Sequence, residues 1–191
     1  MARIIACAKV KGGVGASTLV MMLGHHWQRD GVSVALCDLD TQQQSLSLRS
    51  DFAQVKESDL QKAGRLPYDL VLVDTPPFRT GQTDTLLRLA DFVLIPLNPS
   101  PLDVHSTGWL VDQVQRLGRP AGVVLNRVKP GTGFLAEVRE QIADWPLLRS
   151  EVRDRVSYAR AVISAGGLAD EDNVKAEAEI KALADEIETY L

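Results

Sequence analysis

The stretch KVKGGVGAST (residues 9–18) follows an apolar, strand-like run that ends at Ala8 and precedes a helical pattern that opens at Ser17 and Thr18. Its three glycines leave backbone N–H groups free to surround a phosphate, and a helix N-terminus adds a favourable potential for an anion. The stretch departs from the strict phosphate-loop pattern G-x-x-x-x-G-K-[ST], because position 10 is Val and position 16 is Ala. The context nevertheless predicts a phosphate-binding loop, and a glycine-rich turn without a ligand is the alternative.

Apolar runs alternate with helical patterns along the chain. The runs predicted to be buried parallel strands are 3–8, 33–38, 70–74, 92–97 and 122–126. The predicted helices are 17–29, 43–62, 82–90, 103–117, 133–144, 150–166 and 173–191. This alternation predicts an α/β fold with a doubly wound, mostly parallel sheet and helices on both faces. We expect residues 1–191 to form a single domain that includes the helices of 150–191, with the ligand beyond the carboxyl ends of the strands.

The composition is typical of a globular protein, with 45% hydrophobic and 24% charged residues. Because the net charge is −4, contact with nucleic acid would need a local basic patch. Cys7 and Cys37 lie in apolar runs without metal-ligand spacing, which indicates buried free thiols in a reducing compartment. Neither a signal peptide nor an apolar run long enough to span a bilayer is recognisable, so we expect a cytoplasmic protein.

Lys11 and the residues that follow it (KGGVG-x-[ST]-T) resemble the deviant Walker A motif of the ParA/MinD ATPases, in which a signature lysine precedes two glycines. Further segments resemble that family in the same order: CDLDTQQQS (37–45), YDLVLVDTPP (68–77), IPLNPSPLDV (95–104) and GVVLNRV (122–128). The resemblance covers about residues 2–166. It implies a Rossmann-like P-loop ATPase that binds ATP and Mg²⁺. It also implies a nucleotide-sandwich homodimer, in which Lys11 contacts phosphates held by the partner subunit.

The resemblance implies a role for each matching residue. Asp38 would orient the attacking water, and together with Lys11 and Asp40 it would form the catalytic group. Ser17, Asp40 and Asp74 would hold Mg²⁺, with Asp74 as the Walker B carboxylate. Asn126 would read the adenine edge, for which a side-chain amide offers both a donor and an acceptor. The implied nucleotide-binding residues are Lys11, Gly12, Gly13, Val14, Gly15, Ala16, Ser17, Thr18 and Asn126. Solvated carboxylates at a strand end and an asparagine that caps a turn are the alternatives.

Ala16 stands where the family has the lysine that reaches the β- and γ-phosphates. A charged hydrogen bond contributes about 1.5–3 kcal/mol, so its absence predicts ATP binding weaker by about 10- to 150-fold, with a larger loss in hydrolysis. The retention of the remaining site residues favours a deliberate substitution over natural divergence, and both explanations stay open. A nucleotide-binding switch without turnover is a further alternative.

The chain is short and shows no helix-turn-helix extension, and in this it resembles the small partition and cargo-positioning members of the family. That resemblance implies nonspecific binding to nucleoid DNA and an adaptor or cargo protein that stimulates hydrolysis. The candidate DNA contacts are Arg149, Arg153, Arg155 and Arg160. Arg153 and Arg160 would share a helix face, and a solvated surface with paired charges is the alternative. A MinD-like membrane helix at 173–191 is disfavoured, because acidic residues outnumber lysines there and the apolar stripe is typical of a core-facing helix.

Overall fold

The sheet confirms the predicted doubly wound α/β architecture. The computed structural model describes residues 1–40, 46, 51–77, 84–129, 131, 134–163, 168 and 174–191. Within these residues one sheet contains seven strands, all parallel, in the order β3-β2-β4-β1-β5-β6-β7. The strands are β1 (Arg3–Cys7), β2 (Val34–Asp38), β3 (Ala53–Gln54), β4 (Leu70–Asp74), β5 (Phe92–Leu97), β6 (Ala121–Val128) and β7 (Leu147–Arg153). Because the first strand is central, the loop that follows it opens in the middle of the sheet's carboxyl edge.

Helices cover both faces of the sheet, as the apolar strands require. They are α1 (Ala16–Arg29), α2 (Glu57–Leu60), α3 (Asp84–Leu89), α4 (Pro101–Arg116), α5 (Phe134–Gln141), α6 (Val156–Ile163) and α7 (Val174–Glu188). One hydrophobic cluster joins α1, α6 and α7 to one face of the sheet. A second cluster joins α3, α4 and α5 to the other face. The central strands are therefore buried on both sides, which explains their continuous apolar sequences.

The C-terminal end of the first helix is bonded to residues near both ends of the last helix. The indole N–H of Trp27 donates to the Glu188 carboxylate at 2.6 Å, and Arg29 pairs with Glu177 at 2.7 Å. Between these polar contacts the apolar side of α7, with Ile180 and Leu183 at its centre, lies in the same cluster as α1. The predicted core-facing stripe of the last helix is thus confirmed.

The prediction that 150–166 is one helix is wrong. Residues up to Arg153 belong to strand β7, and helix α6 begins only at Val156. The strand was missed because its apolar residues Leu148 and Val152 are buried while its polar residues lie between them, which hides a parallel strand at the edge of a sheet. Arg153 and Arg160 consequently lie on different elements, so they do not share a helix face.

The helix predicted at 43–62 is also wrong in the part that the structure describes. Residues Ala53–Gln54 pair with β2 as a short strand, and only Glu57–Leu60 are α-helical. The portions at 43–45 and 47–50 lie outside the described residues, as do 82–83, 133, 164–166 and 173 of other predicted helices. In the described part of the chain, no helix is both long and apolar enough to cross a bilayer.

Candidate phosphate-binding site

The glycine loop joins the central strand to the first helix at the predicted place. Gly13 and Gly15 have φ angles of 81° and 88°, in the left-handed region that glycine adopts without strain. Gly15 lies directly before α1, and a Cβ atom there would lie 2.5 Å from the Asn126 amide nitrogen. That amide donates a 2.7 Å hydrogen bond to the carbonyl of Val14. The end of β6 therefore holds the loop in shape, and glycine is required where the two segments meet.

A buried polar cluster lies under this loop. The Ser17 hydroxyl donates to one carboxylate oxygen of Asp74, and the Lys9 ammonium lies 2.9 Å from the other. The same ammonium lies 2.9 Å from the Asp40 carboxylate. Lys9, Asp40 and Asp74 are at most 4% exposed. The structure therefore brings together the three residues proposed to hold Mg²⁺ and adds a lysine that the sequence analysis did not select.

Burial and pairing compete in setting the pKa values of this cluster. Burial alone lowers the pKa of Lys9, but the carboxylates of Asp74 and Asp40 more than reverse this effect and raise that pKa above its ordinary value. Burial raises the pKa of Asp74, and Lys9 and Ser17 oppose that rise only in part. It follows that Lys9 is charged at neutral pH and that an additional cation beside Asp74 would be favourable.

The arrangement of carboxylates fits a divalent cation. Both carboxylate oxygens of Asp40 are buried: Oδ1 has no hydrogen-bond partner among the described residues, and Oδ2 has an ion-pair contact with the Lys9 ammonium at 2.9 Å. Such an oxygen is costly to bury unless a cation binds it. Asp74 and Ser17 supply further oxygen atoms in the same cluster, and oxygen is the donor type that Mg²⁺ prefers. The cluster can thus hold Mg²⁺ together with phosphate oxygens.

Asp38 has a different set of contacts from Asp40. Its carboxylate accepts the backbone N–H groups of Asp40 at 3.0 Å and Leu46 at 3.1 Å. These bonds tie the end of β2 to the backbone of Asp40 and Leu46, and residues 41–45 lie outside the described part of the chain. Asp38 lies opposite Asp74 in the sheet, and the carboxylate of Asp40 is the one that pairs with Lys9 in the buried cluster.

Lys11 lies apart from the buried cluster. Its ammonium pairs with the carboxylate of Asp103, which is 3% exposed in the first turn of α4. Ser100 caps that helix by accepting the backbone N–H of Asp103 at 3.2 Å. The Lys11 side chain itself is 46% exposed. The signature lysine is thus held within its own chain by a nearly buried carboxylate.

A cavity of 140 Å³ adjoins the loop on the side of β6, β7 and α6, and Gly15, Asn126 and Tyr158 are among the residues that line it. Glu179 on α7 holds two of the lining residues in place. Its carboxylate accepts hydrogen bonds from the Arg155 guanidinium at 3.0 Å and from the Tyr158 hydroxyl at 2.9 Å. Glu179 also accepts the backbone N–H of Arg153 at 3.2 Å. The three bonds join β7, α6 and α7 at the edge of the cavity.

The candidate DNA contacts do not form one helical face. Arg149 and Arg153 are exposed on β7, and Arg160 is exposed on α6. Arg155 is partly buried against Glu179, so its guanidinium contributes less charge to the surface. Glu186 of α7 accepts the backbone N–H of Arg149 at 2.8 Å, and this bond does not involve the Arg149 guanidinium. The exposed arginines are thus divided between the edge strand β7 and helix α6.

Two residues of the site were not assigned roles from the sequence. Lys9 could have been found, because a lysine directly after a buried central strand must lie at the sheet's carboxyl edge. The pairing of Asp103 with Lys11 joins positions 92 residues apart and has no local signal. In the sequence, Asp103 is marked only by its place in the segment IPLNPSPLDV (95–104).

A glycine loop between a central parallel strand and a helix, with a hydroxyl and two carboxylates beneath it, defines a P-loop nucleotide-binding protein. Residues 5–166 match the CobQ/CobB/MinD/ParA nucleotide binding domain. The chain belongs to this family, whose ParA and MinD members are P-loop ATPases.

Relatives and solved structures agree with this assignment. The chain is 30% identical to the maintenance of carboxysome distribution protein A of Halothiobacillus neapolitanus, with 83% of each chain covered. It is 27% identical to a ParA protein of Rhizobium radiobacter, covering 86% of this chain and 83% of the relative. Its fold is similar to that of a plasmid partition protein of Borrelia burgdorferi bound to AMPPNP (TM-score 0.77, 18% identity, both chains covered completely). It is equally similar to MinD of Pyrococcus horikoshii complexed with Mg-ADP (TM-score 0.77, 16% identity, 98% and 96% covered).

Proposed function

We propose that this protein is a ParA-like ATPase that binds Mg²⁺-ATP at the glycine loop and uses it to form a homodimer. The observation that carries the proposal is the convergence of Ser17, Asp40 and Asp74 beneath the loop, with the buried Oδ1 of Asp40 left without a hydrogen-bond partner among the described residues. Loop amides and the N-terminus of α1 would bind the phosphates. The cavity beside Asn126 would take the base.

The chain's own residues divide the proposed reaction between binding and charge stabilisation. Asp40, Asp74 and Ser17 would hold Mg²⁺, and the ion would supply positive charge to the phosphate oxygens. Asp38, tied to the backbone of the next segment, is the residue proposed to orient the attacking water. Lys11 must leave Asp103 before it can reach the phosphates of a partner subunit, so dimer formation and the release of this ion pair are coupled.

The dimer's proposed task is to position a cargo, either a plasmid or a protein assembly, on nonspecific DNA. Support comes from a relative named for carboxysome distribution, from a structural neighbour named for plasmid partition, and from the exposed Arg149, Arg153 and Arg160. An adaptor or cargo protein would stimulate hydrolysis, and the protein would then be cytoplasmic and associated with the nucleoid. A switch without turnover is a second candidate, because Ala16 removes a lysine that contacts the transferred phosphate. A MinD-like membrane regulator is disfavoured by the acidic last helix.

Equilibrium binding of a fluorescent ATP analogue, with Mg²⁺ present, tests the proposal. Gly13→Ala should weaken binding, because its φ of 81° strains an alanine within the loop that would hold the phosphates. Gly118→Ala is the matched control: its φ is 63°, and a Cβ atom at either glycine would meet no atom within 4 Å. The two variants carry a similar backbone strain, so only the loop variant should lose affinity. Absence of binding by the native chain, or an equal loss in both variants, would reject the proposal.

A nonspecific duplex of about 30 base pairs tests the DNA part separately. Arg149→Ala and Arg153→Ala should each weaken ATP-dependent binding and reduce its dependence on salt, because fewer phosphates would be neutralised. Arg139→Ala is a suitable control, since this arginine is paired with Glu151 at 2.8 Å. Equal effects of all three substitutions would exclude the strand-edge surface. Liposome sedimentation with anionic vesicles tests the membrane alternative, for which we expect no binding.

A further inference from the structure

The loop has alanine at position 16, where its family has a lysine, and a different lysine, Lys9, lies close to the loop. Ala16 is 2% exposed in the first turn of α1, so its methyl group is buried beside the loop and offers no charge to a phosphate. Lys9 lies under the same loop, two residues after the end of β1. Resting on the proposed function, we propose that Lys9 supplies to the bound phosphates the positive charge that position 16 does not.

The position of the Lys9 ammonium supports this assignment. Lys9 and Ala16 line one cavity of 220 Å³ together with Gly13, Gly15 and Ser17. The ammonium lies 2.9 Å from Asp74, whose other oxygen accepts the Ser17 hydroxyl. Only one carboxylate therefore separates the ammonium from the hydroxyl at the start of α1. A cation at this place belongs to the lining of the same cavity as the glycine loop.

The charges around Lys9 leave it capacity for an anion. A lysine ammonium carries three N–H donors, and the two neighbouring carboxylates account for two of them. Asp40 and Asp74 would hold Mg²⁺, whose charge would compensate these carboxylates in place of the ammonium. A phosphate oxygen then becomes the partner that keeps the 4%-exposed cation from being buried alone.

The other lysine of the loop is not placed to do this. Lys11 is 46% exposed and is held by Asp103 on α4, away from the cluster of Asp40 and Asp74. Its proposed role is in the partner subunit's site. Within a single chain, Lys9 is the lysine that both lines the loop cavity and contacts the buried carboxylates.

The inference changes the interpretation of Ala16. If the charge is present at position 9, an alanine at position 16 belongs to a working site and natural divergence explains it. The alternative is that Lys9 only neutralises two buried carboxylates, in which case the site lacks a phosphate-binding lysine within its own chain. The two cases differ in how substitutions at positions 9 and 16 combine.

A double-mutant cycle on nucleotide affinity distinguishes them. The dissociation constants of mant-ATP and mant-AMP with Mg²⁺ would be measured for the native chain, Lys9→Met, Ala16→Lys and the double variant. Under the proposal, Lys9→Met weakens mant-ATP binding by about 10- to 150-fold and affects mant-AMP much less. Adding Ala16→Lys to Lys9→Met restores most of the loss, whereas Ala16→Lys alone changes the affinity by less than about threefold.

Independent effects would overturn the proposal. One such outcome is that Ala16→Lys tightens mant-ATP binding tenfold or more in the native chain. The other is that it tightens binding by the same factor with and without Lys9. In either case Lys9 does not supply the charge that position 16 lacks. Circular dichroism checks that each variant folds, because Lys9→Met leaves two buried carboxylates without their counter-ion. Should that variant not fold, the Ala16→Lys result alone decides, since it leaves Lys9 in place. If neither the native chain nor Ala16→Lys binds mant-ATP, the proposed function fails instead.

Discussion

Replacing Glu179 by Gln should destabilise the protein in a way that depends on pH. The carboxylate accepts bonds from the Arg155 guanidinium, the Tyr158 hydroxyl and the backbone N–H of Arg153. Breaking a fully buried ion pair costs about 3–5 kcal/mol. Because Glu179 is 15% and Arg155 is 25% exposed, solvent screening reduces the expected loss to about 2 kcal/mol at pH 7.

The sign of the pH dependence follows from the pKa of Glu179. Burial tends to raise that pKa, but the bonds from Arg155, Arg153 and Tyr158 lower it below its usual 4.5. A lowered pKa in the folded state means that the stabilisation is complete above the unfolded value and disappears as the pH falls through the folded value. The difference in unfolding free energy between the native chain and Glu179→Gln should therefore be constant at neutral pH and shrink below pH 4.5.

Urea unfolding followed by tryptophan fluorescence measures this difference across the pH range. Glu177→Gln is the matched control on the same helix: its pair with Arg29 is 2.7 Å long, but the two side chains are 35% and 51% exposed. That control should lose at most about 0.5 kcal/mol. The reasoning is refuted if both variants lose the same stability at pH 7, or if the loss in Glu179→Gln is undiminished at about pH 3.

Three further predictions concern the loop and its lysine. Gly15→Ala should destabilise the fold by about 1–3 kcal/mol, measured by urea unfolding, because its φ is 88° and the new Cβ atom would lie 2.5 Å from the Asn126 amide; an unchanged midpoint would contradict this. Asp103→Asn should release Lys11 from its ion pair and so strengthen ATP-dependent dimerisation about tenfold, as measured by analytical ultracentrifugation. An unaltered dimer affinity would argue against coupling between this ion pair and dimer formation. Chelation of Mg²⁺ by EDTA should weaken ATP-analogue binding in the native chain and much less in Asp74→Asn, so a similar loss in both would place the metal elsewhere.

The central part of the fold could be predicted because its strands are buried on both faces. Such strands are continuous apolar runs, and all five that the sequence indicated are present in the sheet. Strand β7 could not be recognised in the same way, because three consecutive polar residues separate its buried Leu148 from its buried Val152. Its backbone donors Arg149 and Ser150 are satisfied by Glu186, 37 and 36 residues away, and such contacts leave no pattern in the local sequence.

The candidate site was predicted as far as motifs reach. Ser17, Asp40 and Asp74 come together because their strands end at one edge of the sheet, and the strand order follows from the fold class. What the motifs did not indicate is the counter-charge: Lys9 occupies a position that the motif leaves unspecified. Lys9 contacts Asp40 and Asp74, which follow other strands of the sheet. Such contacts depend on how the loop packs against the ends of these strands, which the spacing of residues within the motif does not specify.

Helix α1 begins at the phosphate loop and ends where Trp27 and Arg29 fasten it to α7. Its 14 residues make a rod of about 21 Å. The phosphate loop adjoins one end of this helix and α7 is bonded to the other. A shift of the loop on nucleotide binding or release would therefore also move the contacts between α1 and α7. The surface of α7 thereby becomes a place where a partner protein could sense the nucleotide state without approaching the nucleotide.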